Sequence, residues 1–115
     1  MMSKEDLEPK LADIMSQIAE VEGIVALDHS GNLISGQTIE EMDVEDIAKK
    51  ASDLIEAANT MGKTIEKGDT FEITLGIENG YMVAVVGSEF AVLSFVDSDS
   101  KAQLALLGRT LKNLL

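Results

Sequence analysis

Thr70-Phe71-Glu72-Ile73-Thr74-Leu75-Gly76-Ile77-Glu78-Asn79-Gly80-Tyr81-Met82-Val83-Ala84-Val85-Val86-Gly87 is the stretch whose reading decides the architecture. Residues 70 to 78 alternate in polarity, Asn79-Gly80 is the preferred two-residue hairpin turn, and residues 81 to 87 return as a second strand. A turn there sets Glu78 opposite Tyr81, Ile77 opposite Met82, Leu75 opposite Ala84 and Ile73 opposite Val86. One face of the hairpin then carries Ile73, Leu75, Ile77, Met82, Ala84 and Val86. The other carries Glu72, Thr74, Gly76, Tyr81, Val83 and Val85. Ser88-Glu89 turns the chain again, and Phe90 to Val96 is the next strand. The middle strand is apolar on both faces, so both faces of the sheet need a cover of helices.

Three helices are available to supply it. Ser3 caps the first, with Asp6 three residues on, and Leu7, Leu11, Ile14, Met15, Ile18 and Val21 follow at helical spacing. Pro9 falls early, where its missing N–H matters least, and Gly23 is read as the helix stop. The second helix runs from Asp43, its N-cap, to Met61, with Gly62 ending it. Its apolar residues Val44, Ile47, Ala48, Ala51, Leu54, Ile55, Ala58 and Met61 span about 140° of the helical wheel. The alanines make that stripe shallow enough for close approach. The third helix covers Lys101 to Leu115, capped by Asp97 or Asp99, with Leu104, Leu107, Leu111 and Leu114 along one side. Between the first two helices, Gly23 to Asp28 and Leu33 to Gly36 read as a hairpin around His29-Ser30-Gly31-Asn32. The order is α-β-β-α-β-β-β-α in one domain, 1–115. The fold class is α/β (α+β), with a five-stranded antiparallel sheet sandwiched between one helix and two helices.

Bulk properties set the outer limits. Hydrophobic residues make up 45% of the 115, but aromatics only 3%, so the core is built from aliphatic side chains and methionine. The absence of cysteine excludes disulfides and thiolate metal sites and fits a reducing, cytoplasmic setting. Met1 to Pro9 is charged, so no signal peptide is expected, and Met82 to Val86 is far too short to span a bilayer. The net charge is −12, which disfavours nucleic acid and insertion into anionic membranes. Residues 1–61 carry 14 acids against 4 bases, while residues 62–115 carry 7 against 5.

The element order, with Glu22-Gly23-Ile24-Val25-Ala26-Leu27-Asp28 before Ser30-Gly31-Asn32 and the three-strand meander Phe71 to Val96, resembles the roadblock / dynein light chain family. The likeness is to its prokaryotic branch and covers about Leu7 to Leu114. It implies a roadblock/profilin-like fold and a homodimer in which second helices pack antiparallel and third strands pair. It also implies a non-catalytic platform for a small Ras-like GTPase. A structural scaffold recruiting other roadblock-type or motor subunits is the alternative. The implied dimer interface comprises Ile47, Ala48, Ala51, Leu54, Ile55 and Ala58 on the helix, and Thr70, Phe71, Glu72, Ile73, Thr74, Leu75 and Gly76 on the strand. In that topology residues 70–78 form an edge with no Lys, no Pro and no break in alternation, which calls for a partner. Like charges opposed across a pair are destabilising. A twofold centre at Leu75 sets Glu72 against Glu78, so a centre at Ile73 or Thr74 is expected.

No reactive constellation emerges. Gly62-Lys63-Thr64 lacks the earlier glycine of a phosphate loop (the residue there is Ala57) and the strand that should precede it. Asp28-His29-Ser30 are consecutive and cannot form a triad, and His29 is the only histidine. Asp97-Ser98-Asp99-Ser100 lacks the glycine and distal glutamate of a calcium loop and reads as a helix cap. Arg109, the only arginine, is read as a solvent-facing helix residue. No enzyme activity, cofactor or metal is expected. The cluster Glu40, Glu41, Asp43, Glu45 and Asp46 complements a helix dipole and is a weak candidate for a basic partner. Met15 and Met82 are expected in the core, with Met42 and Met61 left open between core and contact surface.

Overall fold

A computed structural model describes residues 3–115, so the first two residues of the expected domain lie outside it. The elements run α1 (Lys4–Gln17), β1 (Val21–Asp28), β2 (Leu33–Thr38), α2 (Val44–Thr64), β3 (Glu72–Ile77), β4 (Gly80–Val86), β5 (Phe90–Asp97) and α3 (Leu104–Lys112). A 3₁₀ turn, Ser98–Gln103, precedes α3, so the last helix begins later than Lys101. The strands form one antiparallel sheet in the order β2-β1-β5-β4-β3.

Two cores lie on the two faces of this sheet. On one, Leu7, Leu11 and Ile14 of α1 and Leu107 and Leu111 of α3 meet Ile24, Val83, Val85 and Val92. On the other, Ala48, Ala51 and Ile55 of α2 meet Val25, Leu27, Ala84 and Leu93. This is the expected layering of one helix against two. The two sides differ in depth: α1 and α3 bury leucines, whereas Ala48 and Ala51 present short side chains where α2 meets the strands. Ser94, fully buried in β5, donates its hydroxyl to the Gly23 carbonyl at 2.8 Å, which leaves no polar orphan at the centre.

Local signals at the helix starts hold. Ser3 and Asp6 form a reciprocal capping box, and Asp43 accepts from the Asp46 amide. The helix stops differ from expectation. Helix α1 ends at Gln17, and Gly23 lies inside β1. Gly23 faces Phe95 in the β1–β5 register, and any Cβ there would run into that ring. Helix α2 continues through Gly62 to Thr64. The chain then doubles back, so that the Lys67 and Gly68 amides both donate to the Gly62 carbonyl. Glu66 and Gly68 take the left-handed backbone this reversal needs. Gly23 answers a close approach across the sheet, and Gly62 one from the Gly68 carbonyl within the reversal that follows the helix.

The decisive hairpin is correct in its faces and displaced in its register. The observed partners are Ile77 with Gly80, Leu75 with Met82 and Ile73 with Ala84, so Glu78-Asn79 is the turn. The shift is two residues, which preserves every face assignment. Gly80 is the first residue of β4 and has no positive φ. A methyl group on it would lie 2.5 Å from the Val96 carbonyl oxygen, whereas one on Gly76 would lie 3.5 Å from its nearest neighbour, the Tyr81 ring. Gly80→Ala should therefore lower stability by about 1–3 kcal/mol through overpacking. Urea unfolding of the variant beside the native chain checks this.

Candidate interaction surface

The sheet has two edges, and they are treated differently. Strand β2 is flanked by α1 and α2, carries a register shift opposite Ala26 and Leu27, and is mostly half-buried. Its Gln37 side chain donates to the Glu8 carbonyl of α1 at 3.2 Å. Bulges and flanking helices are ordinary ways to blunt an edge. Strand β3 has neither, and of its six residues only Ile73 and Leu75 are even half-buried.

The alternation of hydrogen bonds shows which backbone groups are free. The Val86 amide donates to the Phe71 carbonyl at 2.9 Å, which makes residue 71 a bonded partner of β4. In an antiparallel ladder every second residue bonds to the same neighbour, so Ile73, Leu75 and Ile77 also face β4. The backbone groups of Glu72, Thr74 and Gly76 point to the open edge. The edge is shorter than the nine residues read from the sequence, because β3 begins at Glu72 and the Thr70 amide is taken by Asn59 Oδ1 of α2 at 2.8 Å.

An uncovered face adjoins this edge. Helix α2 packs on β1 and β2, and α3 packs on β4 and β5 from the other side. On the α2 side, therefore, β3 has no helix of its own, and of β4 only Ala84 is buried under the α2 core. Ile73, Leu75, Met82 and Val86 are half-buried there, while Ile77 is 59% exposed. A groove of about 490 Å³ opens between this corner and the start of α2, lined among others by Met42, Ile47, Ile77, Met82 and Phe95. At the opposite end of β3, Phe71 is 69% exposed, with Met61 and Ile65 of the α2 terminus also exposed.

The residues expected at a dimer interface are thus divided. Ala48, Ala51 and Ile55 are buried in the chain's own core; Ile47, Leu54 and Ala58 are half-buried; and the β3 residues line the open edge. The acids Glu40, Glu41, Asp43, Glu45 and Asp46 are all exposed around the start of α2, with Asp46 paired to Lys50 at 2.9 Å. Met15 and Met82 pack against the two cores, whereas Met42 and Met61 are exposed.

The stretches weighed for chemistry take up structural roles. Gly62-Lys63-Thr64 is the last turn of α2, and Lys63 lies 3.4 Å from Asp69. Asp97 accepts from the Asp99 amide and the Ser100 hydroxyl, both at 2.9 Å, and starts the 3₁₀ turn. Arg109 is exposed on α3. Among the described residues, no three of His, Cys, Asp and Glu converge as a metal site requires. No helix there is long and apolar enough to cross a membrane. Asp28 organises the β1–β2 loop, accepting from the Ser30 amide at 2.9 Å, the Asn32 amide at 3.0 Å and the Asn32 side chain at 3.2 Å. His29 Nε2 lies 3.0 Å from the Ser88 carbonyl and joins this loop to the β4–β5 turn.

A family model described as the Roadblock/LC7 domain matches residues 10–96. The chain belongs to the Roadblock/LC7 domain family. Its fold is similar to that of a Roadblock/LC7 domain from Streptomyces avermitilis, with a TM-score of 0.80 at 17% identity over 91% of this chain and 88% of that one. Myxococcus xanthus MglB gives 0.78 at 16% over 92% and 85%, and MglB with a tetrameric arrangement gives 0.79 at 12% over 97% and 92%. At such identities the likeness is one of fold. No curated protein matches the sequence.

One contact on this roadblock edge has no precursor in the sequence pattern. Lys112, at the end of α3, reaches Glu72 Oε1 at 2.6 Å, and its Nζ lies 5.5 Å from the centre of the Phe71 ring. The pair is exposed, so Lys112→Ala should change stability by less than about 1 kcal/mol. Urea unfolding at low and high salt measures it.

Asp28 supplies a pH dependence. The Asn32 amide foremost, helped by the Asn32 side chain and the Ser30 amide, holds its carboxyl below the ordinary value of 3.8, against the opposing effect of partial burial. A carboxyl lowered in the folded state stabilises above its unfolded pKa and loses that contribution as pH falls through the folded value. The stability difference between the native chain and Asp28→Ala should therefore be constant above about pH 5 and close in more acidic solution. Denaturant unfolding across the acid range checks this.

Proposed function

We propose that the chain works as a homodimer joined along β3 and the uncovered face beside it, and that this pair is a non-catalytic platform regulating a small Ras-like GTPase. The observation that carries the dimer is the unguarded edge. Three residues, Glu72, Thr74 and Gly76, offer free backbone groups next to an apolar flank that α2 of the same chain covers only in part. An exposed edge of this kind either finds a partner or aggregates. A symmetric pair also meets the requirement that one patch be complementary to itself.

Regulation of a GTPase is supported by family membership, by the resemblance to the prokaryotic branch, and by the charge of the chain. With 21 acids against 9 bases, it favours a partner with a basic surface, and the exposed acids from Glu40 to Asp46 are the densest part of that field. Nucleic acid is disfavoured on the same ground.

Two experiments bear on this reading. Thr74→Pro should halve the mass measured in solution while retaining the circular dichroism of the fold, because the Thr74 amide points to the open edge and not to β4. A native chain that is monomeric at working concentration would sink the dimer. For the GTPase, binding should differ between the GDP form and a GTP-analogue form of a Ras-like GTPase from the same source. Equal or absent binding would remove GTPase control and leave the scaffold.

A further inference from the structure

Resting on the homodimer reading, we propose a unique register for the pair: Thr74 lies on the twofold axis, with Glu72 of each copy set against Gly76 of the other. Only outward-facing residues can bond across the new seam, so Glu72, Thr74 and Gly76 must meet residues of the same set. That requirement places the axis through a residue and never between two. Ile73, Thr74 and Leu75 are the centres that keep the short strand paired along most of its length.

The three differ in what they oppose. Centred on Leu75, the strand sets Glu72 against Glu78 and Phe71 against Asn79. Centred on Ile73, it sets Ile77 against Asp69. Centred on Thr74, it sets Phe71 against Ile77 and Ile73 against Leu75, so every apolar residue of the edge meets another. Phe71 and Ile77, the two most exposed apolar residues of β3 and its approach, then stand opposite one another across the seam.

Gly76 supplies an independent reason. Glycine inside a strand weakens it and marks a place where something approaches closely. Nothing within the chain needs a glycine there. Its φ is not positive, and a Cβ would make only an ordinary contact with the Tyr81 ring at 3.5 Å. In the proposed register the missing side chain leaves room for the Glu72–Lys112 pair of the other copy, held at 2.6 Å on the same face of the sheet as the position Gly76 leaves empty.

The chain has no cysteine, so single-cysteine variants report only their own contacts. Directly bonded antiparallel partners have Cα atoms about 5.5 Å apart, inside the disulfide range. Under mild oxidation, Thr74→Cys should convert to a covalent dimer on a non-reducing gel. Glu72→Cys should link to Gly76→Cys when the two variants are mixed, and neither should link to itself. Self-linking of Ile73→Cys or Leu75→Cys, with Thr74→Cys unlinked, would overturn the register while leaving the dimer intact. Monomeric mass for the native chain, with no variant linking, would overturn both.

Discussion

A strand at the end of a sheet leaves half of its backbone donors and acceptors facing outward, and everything distinctive about this molecule follows from how little it does to hide those of β3. The other edge is kinked and flanked by two helices. This one has an ion pair at its start, a turn at its end, and three free residues between them. The asymmetry traces to the placement of α2. By lying over β1 and β2, that helix closes one half of its face of the sheet and leaves the half that carries β3 largely bare. The bare half and the bare edge are contiguous, so they form a single surface, apolar on the flank and hydrogen-bonding along the rim.

The interior makes that placement possible. A core with so few aromatic rings gains its density from close approach, and close approach is bought with alanine and glycine. Ala48 and Ala51 let α2 settle near the strands. Gly23 admits the ring of Phe95 across the β1–β5 seam, and Gly80 lets β4 begin directly beneath the Val96 carbonyl. Polar side chains serve mostly at the ends of elements, as in the Ser3, Asp28, Asp43 and Asp97 caps. That is why the titratable groups of the chain are scattered over its surface and not gathered in a cleft.

Much of this was legible in the amino-acid pattern, and the parts that were not share a cause. The alternation in β3 and β4 identified both faces of the sheet, and these survive a two-residue error in register because the period of a strand is two. The capping residues were legible because the partner of a cap lies within three residues. Gly23, Gly62 and Gly80 were misread as helix stops and a turn residue, since a glycine required by the approach of another part of the chain, Phe95, Gly68 or Val96, looks the same in sequence as one required by its own φ. The open flank of β3 depends on where α2 lies, and the Lys112–Glu72 pair joins residues forty positions apart. Neither is written in any local spacing.

The seam between β1 and β5 has a consequence for how the molecule comes into being. It joins residues about seventy positions apart, Ile24 with Ser94 and Val25 with Leu93, and it sits at the centre of the sheet. Contacts of such separation form late, after the closure entropy of the intervening chain has been met. During synthesis β1 therefore lacks its central partner until β5 has emerged. The β3–β4–β5 meander, made only of neighbours, can assemble at once. The strand with the exposed rim thus rests on pairing with its nearest neighbour in sequence, whereas the seam that unites the two hairpins must span most of the domain.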